Sequence, residues 1–285
     1  MSVVIENLSF TYMKKTPYEA KALENVCLEI KQGEFVGIIG STGSGKSTLV
    51  QHFNGLIPLQ EGKLTVCDID LSAKKPDYRE VRKKVGVVFQ YPEYQLFDET
   101  VRRDVGFGPR NMGLSSAEIE ERVAQSLTLV GIEEKDWDKS PFDLSGGQKR
   151  RVAIAGVIAM RPEMLILDEP TAGLDPAGKK EILALVKKLQ NECSPTVVMI
   201  SHNMDEIADL ADKIVLMHKG KLLASLPPEE LFTCDELVKK AGLELPVSVS
   251  VAKKLINMGI DLGKIPCRKS ELASILLNKG AKDVK

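Results

Sequence analysis

The chain has 285 residues, 43% hydrophobic and 28% charged, with a formal net charge of −1 at pH 7. That is the composition of an ordinary soluble chain, and it leaves no global basic field to attract nucleic acid. The longest uncharged apolar stretch, Val152 to Met160, covers nine residues between Arg151 and Arg161, far below the ~18–20 of a membrane span. Five cysteines (Cys27, Cys67, Cys193, Cys234 and Cys267) are scattered without a C-x-x-C pair or ligand-like spacing to the three histidines. The opening MSVVIENLSF lacks the basic and apolar regions of a secretion signal. The expectation is a reduced cytosolic setting, with one large domain and room for a small second one.

In chain order, Val3 to Phe10 reads as a β-strand and Val26 to Ile30 alternates as a second. Between them lies a polar loop, Thr11 to Lys21, carrying Tyr12 and Tyr18. An aromatic there either stacks on a nucleobase or is a plain surface tyrosine, and residue type alone favours the latter. Gly33 then turns the chain into an apolar run, Phe35 to Ile39. Gly40-Ser41-Thr42-Gly43-Ser44-Gly45-Lys46-Ser47-Thr48 follows directly, and a helix-compatible run continues from Leu49 to Leu56. Strand, loop and helix in that order, with G-x4-G-K-[ST] spacing, make a phosphate-binding loop. Glycines let backbone N–H groups converge on phosphate oxygens, and the helix N-terminus adds roughly half a positive charge. Lys46 is placed for the β- and γ-phosphates, and the Ser47 hydroxyl for Mg²⁺.

Asn54-Gly55 and Pro58 punctuate the chain, and Leu64–Val66 and Ile69–Leu71 read as short strands around a turn at Asp68. Lys74 to Lys84 is charged and exposed; Val85 to Phe89 is a continuous apolar run, as in a buried parallel strand. It ends at Gln90, where open α/β sheets bind ligands, so Gln90 is either a contact to Mg²⁺ and water or a loop residue. From Tyr91 to Leu114, glycines and prolines break regularity; Ala117 to Val130 then reads as a helix with Ser116 as its N-cap and Gly131 as its stop. Leu144-Ser145-Gly146-Gly147-Gln148 opens another helix, running to Met160, and offers bare N–H groups to an anion or simply makes a turn. Met164 to Leu167 is a buried strand ending in Asp168-Glu169-Pro170. Beside a phosphate-binding loop, Asp168 is placed for the Mg²⁺ shell and Glu169 to polarise the attacking water; without one, the pair would be a solvated acidic turn.

The phosphate loop, Gln90, LSGGQ, LILDEP, Ala172-Gly173-Leu174-Asp175 and Ile200-Ser201-His202 occur in the order of an ABC transporter ATPase subunit, and the match covers about residues 1 to 230. By that resemblance Tyr12 stacks on adenine, and Gln90 senses Mg²⁺ and the membrane partner. Ser145, Gly146, Gly147 and Gln148 close over ATP bound to the opposite subunit, and Asp175 couples the two sites. His202 contacts the γ-phosphate and aligns Glu169 with the water, a role a neutral imidazole suits. Tyr91 to Phe97 (YPEYQLF), followed by Asp104 to Asn111, is similar to energy-coupling factor (ECF) ATPases, and most like the second (A′) paralogue of vitamin importers. That family implies a groove near Tyr91–Asp98 that receives a coupling helix of a transmembrane T subunit. Its Tyr94, Leu96 and Phe97, with acidic Glu93 and Asp98, suit an amphipathic or basic helix.

Further on, Glu181 to Leu189 reads as a helix, Thr196 to Ile200 as a buried strand, and Ile214–Met217 with Leu222–Leu226 as a hairpin around Lys219-Gly220. Pro227-Pro228 marks a boundary, after which Asp235–Ala241, Val249–Met258 and Ser270–Asn278 read as short helices. Such a piece is too small for a large core of its own, and the resemblance implies a dimer contact. The expected architecture is α/β: a P-loop ABC-type ATPase domain over 1–228, with an antiparallel β-subdomain and a helical subdomain at about 91–160. A small helical unit occupies 229–285. The expected function is ATP hydrolysis with ATP and Mg²⁺, driving an ECF-type importer of vitamins or other micronutrients. A paralogous ATPase, a T subunit and substrate-binding S subunits are the implied partners, without nucleic acid, at the cytoplasmic face of the membrane as a peripheral subunit. A cobalt or nickel importer ATPase is the near alternative, and a soluble non-transport ABC ATPase the remote one.

Overall fold

A computed structural model describes residues 1–193 and 195–280, so the last five residues of the expected C-terminal unit lie outside it. The chain opens with antiparallel β1 (Val3–Tyr12) and β2 (Ala20–Ile30), then β3 (Phe35–Ile39), the loop 40–45 and α1 (Lys46–Phe53). Next come β4 (Glu61–Val66), β5 (Ile69–Asp70), α2 (Tyr78–Lys84) and β6 (Val85–Val88). An inserted helical layer follows: α3 (Val101–Val105), α4 (Phe107–Asn111), α5 (Ser116–Leu129) and α6 (Gly146–Ile158). The α/β pattern resumes with β7 (Met164–Asp168), α7 (Pro176–Cys193), β8 (Thr196–Ile200), α8 (Met204–Leu210), β9 (Lys213–His218) and β10 (Lys221–Leu226). Four helices close the described chain: α9 (Pro228–Thr233), α10 (Asp235–Ala241), α11 (Val247–Asn257) and α12 (Lys269–Gly280).

Two sheets result. The smaller is antiparallel in the order β2-β1-β4-β5; the larger runs β10-β9-β3-β8-β7-β6, parallel except for β10. All five residues of β3 are buried, as the continuous apolar run requires of a strand covered on both faces. Its side chains alternate between two cores. Phe35 and Ile39 face the cluster shared with the helical layer, while Val36 and Ile38 join Leu8, Leu49 and Phe53 under the small sheet. The loop that follows is thus anchored from both sides.

Several expectations shift by a few residues for local reasons. Helix α1 begins inside the motif at Lys46 rather than at Leu49, and β2 begins at Ala20, shortening the loop between β1 and β2. The first half of β2 is largely exposed, and β1 pairs with it through register shifts, which erases clean alternation. The segment Lys74–Lys84 contains α2, capped by Asp77 and burying only Val81, too little to leave a periodic trace. Ser115 caps α5 rather than Ser116, completing a capping box with Glu118. Helix α9 starts at the expected boundary itself, with Pro228 in its first turn.

The C-terminal helices pack on their own chain. Leu231, Phe232, Val249 and Cys267 lie in the same cluster as Leu216 and Ile207. At the start of α8, Asp205 accepts hydrogen bonds from the Val247 backbone N–H (2.8 Å) and the Lys269 ammonium (2.9 Å). Arg268 Nε donates to the Ala208 carbonyl at 3.2 Å.

Candidate active site

The loop between β3 and α1 takes backbone shapes that glycine alone adopts cheaply. Gly40 (φ +147) and Gly45 (φ +101) are in the positive-φ region, and a Cβ would meet the Met217 carbonyl at 2.1 Å or the Ala22 carbonyl at 2.6 Å. Within it, the buried Lys46 ammonium donates to the Gly40 and Ser41 carbonyls at 2.8 and 3.0 Å. Burial pushes the Lys46 pKa below the ordinary lysine value, and nearby Glu169 and Asp168 pull it back. The Ser44 hydroxyl is buried and has no protein hydrogen-bond partner. A cation and an orphaned hydroxyl among converging backbone amides form a donor set for phosphate oxygens, so the residues fit a nucleotide.

At the C-terminal edge of the same sheet, three polar side chains meet. Glu169, directly after β7, accepts from Gln90 Nε2 at 2.9 Å and faces His202 Nε2 at 2.9 Å. The strands β6, β7 and β8, which the larger sheet places side by side, bring together Glu169 and His202, paired by the resemblance, and add Gln90, which the resemblance assigned to Mg²⁺ and the membrane partner rather than to Glu169. Glu169 (φ 51) and Tyr91 (φ 54) both hold left-handed backbone, a strained conformation common where side chains are aimed into a site. Burial and the Glu169 charge raise the Asp168 pKa above the usual carboxylate value, and the neighbouring Ser47 partly offsets them. Ser47, Asp168 and the carbonyl of Gln90 are oxygen donors suited to a hard cation. Among the described residues no cluster of three or more His, Cys, Asp or Glu side chains could hold a metal. A cation here would complete its shell with water and phosphate oxygens, the coordination Mg²⁺ favours.

Tyr12 ends β1 beside the loop, 40% exposed, its hydroxyl 3.2 Å from Thr48 Oγ1 and its ring edge-on to Phe10 at 4.8 Å. Tyr12→Ala is expected to raise KM for ATP by roughly 5- to 100-fold, the worth of one base–aromatic stack, with kcat at saturation unchanged. Tyr12→Trp should restore KM; steady-state kinetics decides, and an unaltered KM in the alanine variant removes Tyr12 from the adenine site.

The structure does not bring Ser145–Gln148 to this loop. Ser145 caps α6, accepting from the Gln148 N–H, while Gln148 Oε1 accepts from the Ser145 N–H and its amide reaches Asp136. Ser145, Gly146 and Gly147 are exposed, and among the described residues no hydrogen bond joins them to residues 40–48. Asp175 is exposed too and accepts from the Gly178 N–H at the start of α7. An outward-facing, preformed helix N-terminus fits a role on another molecule's nucleotide.

Residue type gave no signal for Arg150, almost fully buried in α6. Its guanidinium holds the Glu93 carboxylate bidentately (3.0 and 2.8 Å) and donates to the Pro170 and Ala172 carbonyls. One arginine thus ties the LSGGQ helix, the segment after Gln90 and the turn after Glu169 together. Glu93→Ala leaves that cation buried without a counter-charge, a cost of about 3–5 kcal/mol. Thermal unfolding should drop by roughly 6–20 °C, and a shift below about 2 °C would contradict the pairing.

The segment Tyr91–Asp98 borders a cavity of about 530 Å³ lined by Leu96, Phe97, Phe107, Met112 and Met160, with Arg79 at its rim. Glu93 is engaged by Arg150, and Asp98 by Arg103 and Arg110. The two carboxylates read as docking charges are thus satisfied within the chain, and the groove itself is apolar with a basic edge.

A profile of the ABC transporter family matches residues 23–172. The Clostridium tetani energy-coupling factor transporter ATP-binding protein EcfA2 is 50% identical over 98% of this chain and 99% of its own length. The solved structure of cbiO1 from Clostridium perfringens, described as part of the ABC transporter complex cbiONQ, is 38% identical with a TM-score of 0.75. It covers 91% of this chain and 99% of its own. A dimeric ATP-binding cassette bound to ADP and phosphate is 32% identical over 79% of this chain and 98% of its own, with a TM-score of 0.70. The site geometry and these likenesses agree, and the chain belongs to the ABC transporter family, among the ATP-hydrolysing subunits of energy-coupling factor transporters.

Proposed function

We propose that this chain pairs with a paralogous ATPase and that the pair drives uptake of vitamins or other micronutrients through a transmembrane T subunit and substrate-binding S subunits. The likeness over 98% of the chain to an energy-coupling factor transporter ATP-binding protein carries the importer reading, and the Glu169 carboxylate held between Gln90 and His202 beside the Lys46 loop supports its ATPase half. In this reading the loop amides of residues 40–48 and Lys46 hold the β- and γ-phosphates while Tyr12 stacks on adenine. Ser47, Asp168 and Gln90 would hold Mg²⁺, which when bound would supply positive charge against the phosphate oxygens. Glu169 takes a proton from water as the water oxygen bonds to the γ-phosphorus and the bond to the ADP oxygen breaks. His202 keeps Glu169 aligned with that water. Ser145–Gln148 and Asp175 face outward to serve the nucleotide of the opposite subunit, which gives two sites for two chains.

The apolar groove beside Tyr91–Asp98 is assigned to the amphipathic coupling helix of the T subunit. The same reading assigns the chain a peripheral place at the cytoplasmic face; no helix among the described residues is long and apolar enough to cross a membrane. Residues 1–228 act as the ATPase domain, with 91–160 as its helical subdomain, and 229–285 as a small appended unit offered to the partner ATPase.

The test is an affinity pull-down of the full chain from detergent-solubilised membranes of its native cell, read by mass spectrometry. Recovery of a second ATPase, one T-type protein and several small S-type proteins supports a shared vitamin importer. A single dedicated metal-transport set assigns the chain to cobalt or nickel instead, the kind of complex that the cbiO1 relative is described as joining. Ribosomal or DNA-repair proteins without a membrane protein would overturn the importer reading.

A further inference from the structure

The backbone ladder between β7 and β8 ends where the chemistry begins. The Glu169 N–H donates to the Ile200 carbonyl at 3.0 Å, after which the two chains part into separate loops. One loop carries Glu169, Pro170 and Thr171; the other carries Ser201 and His202. The Glu206 carboxylate, on the first turn of α8, spans the gap. It accepts from the Thr171 hydroxyl at 2.9 and 3.1 Å and from the Ser201 hydroxyl at 2.9 Å. Ser201 Oγ in turn accepts from the Asn203 N–H at 3.0 Å, fixing the chain on the far side of His202. Thr171, Ser201 and Glu206 are all at most 5% exposed.

We propose that Glu206 is a positioning residue for hydrolysis, clamping the loop of Glu169 to the loop of His202 so that the two side chains stay in register. This rests on the roles assigned above to Glu169 and His202. Thr171 is two residues from Glu169, and Ser201 adjoins His202. A shift of either loop therefore passes directly into the 2.9 Å Glu169–His202 contact. Apart from that contact, the Glu206 bonds are the side-chain hydrogen bonds joining the two loops among the described residues. A buried acidic group is an expensive way to fill space, since apolar replacements of buried polar groups are often neutral or stabilising. Its selective value here lies in geometry: misplacing catalytic groups by about 1 Å can cost ~10²-fold in rate.

The experiment compares Glu206→Ala, Glu206→Gln and Thr171→Val in the full chain, purified with its co-isolating partners, by kcat, KM and MgATP affinity. Glu206→Ala should lower kcat at least ~10-fold with KM and affinity within about twofold, because the loop 40–48 is untouched. Glu206→Gln keeps one acceptor oxygen and should recover part of that loss. In a His202→Ala background, single-turnover rates should fall by less than about twofold further on adding Glu206→Ala, since a positioner has nothing left to position. Full additivity there, or an unchanged kcat in Glu206→Ala, overturns the proposal. If the alanine variant does not fold, an unchanged kcat in both Glu206→Gln and Thr171→Val overturns it. Glu169→Gln is measured in parallel. Normal turnover in that variant refutes the underlying assignment, whereas a dead Glu169→Gln beside unaffected Glu206 variants refutes only the clamp.

Discussion

Glu169→Gln is expected to cut ATP turnover by at least ~10²-fold while leaving MgATP binding intact. The replacement keeps the size and hydrogen-bonding reach of the side chain, so contacts with Gln90 and His202 at 2.9 Å can persist in altered polarity. What it removes is the carboxylate able to take the proton of the attacking water. No other carboxylate is equivalently placed. Asp168 is assigned to the cation with Ser47, and burial with the neighbouring Glu169 charge raises its pKa. Phosphate-release kinetics together with an equilibrium nucleotide titration checks both halves of this expectation. Unchanged turnover would remove Glu169 as the catalytic residue, and lost binding would recast it as a structural one.

Lys46→Ala should act on the other half of the problem. Lys46 is 6% exposed and its ammonium donates to the Gly40 and Ser41 carbonyls, placing it at the concave side of the loop. A charge-assisted hydrogen bond is worth about 1.5–3 kcal/mol, or roughly 10- to 150-fold in affinity for each such bond to phosphate that the substitution removes. The dissociation constant for MgATP should rise by at least that factor, and the nucleotide-dependent rise in melting temperature should shrink with it. Without nucleotide the variant should melt close to the parent, because burial already disfavours this charge. Fluorescent-nucleotide titration and thermal unfolding measure the two effects. Affinity within about threefold of the parent would show that the lysine does not meet the phosphates.

Both experiments address residues that could be read from sequence, and the reason is physical. The glycines of the loop, the apolar runs of β3, β6, β7 and β8, and the polar residues Gln90, Asp168 and Ser201 after the last three follow from one requirement: buried parallel strands delivering side chains to a common edge. Short surface elements carry no such imprint. Helix α2 buries a single residue, and the outer half of β2 faces water, so neither shows a period. Adjacent serines at 115 and 116 offer the same cap, and only backbone geometry selects between them. Arg150 and Glu206 stayed silent for a different reason. Their partners, Glu93 and Thr171, lie 57 and 35 residues away, and nothing local marks a charged residue as buried. The LSGGQ stretch was legible as a helix start, and in the function proposed above its target lies on the opposite subunit.

Strand β6 is the edge of the larger sheet, and the whole helical layer hangs between it and its neighbour β7. The β3 strand that carries the phosphate loop sits three strands inward, roughly 14 Å away. The excursion from residue 89 to 163 therefore leaves and rejoins the sheet through adjoining strands without threading past β3. Topologically it is a cassette. Its exposed connections can be lengthened or trimmed while residues 40–48 keep their foundations, provided Gln90, Glu93, Arg150 and the buried side chains that share a core with Phe35 and Ile39 are kept together. The groove proposed for the membrane partner and two groups proposed to serve ATP, Gln90 and Ser145–Gln148, thus share one tract of the gene, so a change to that tract reaches both.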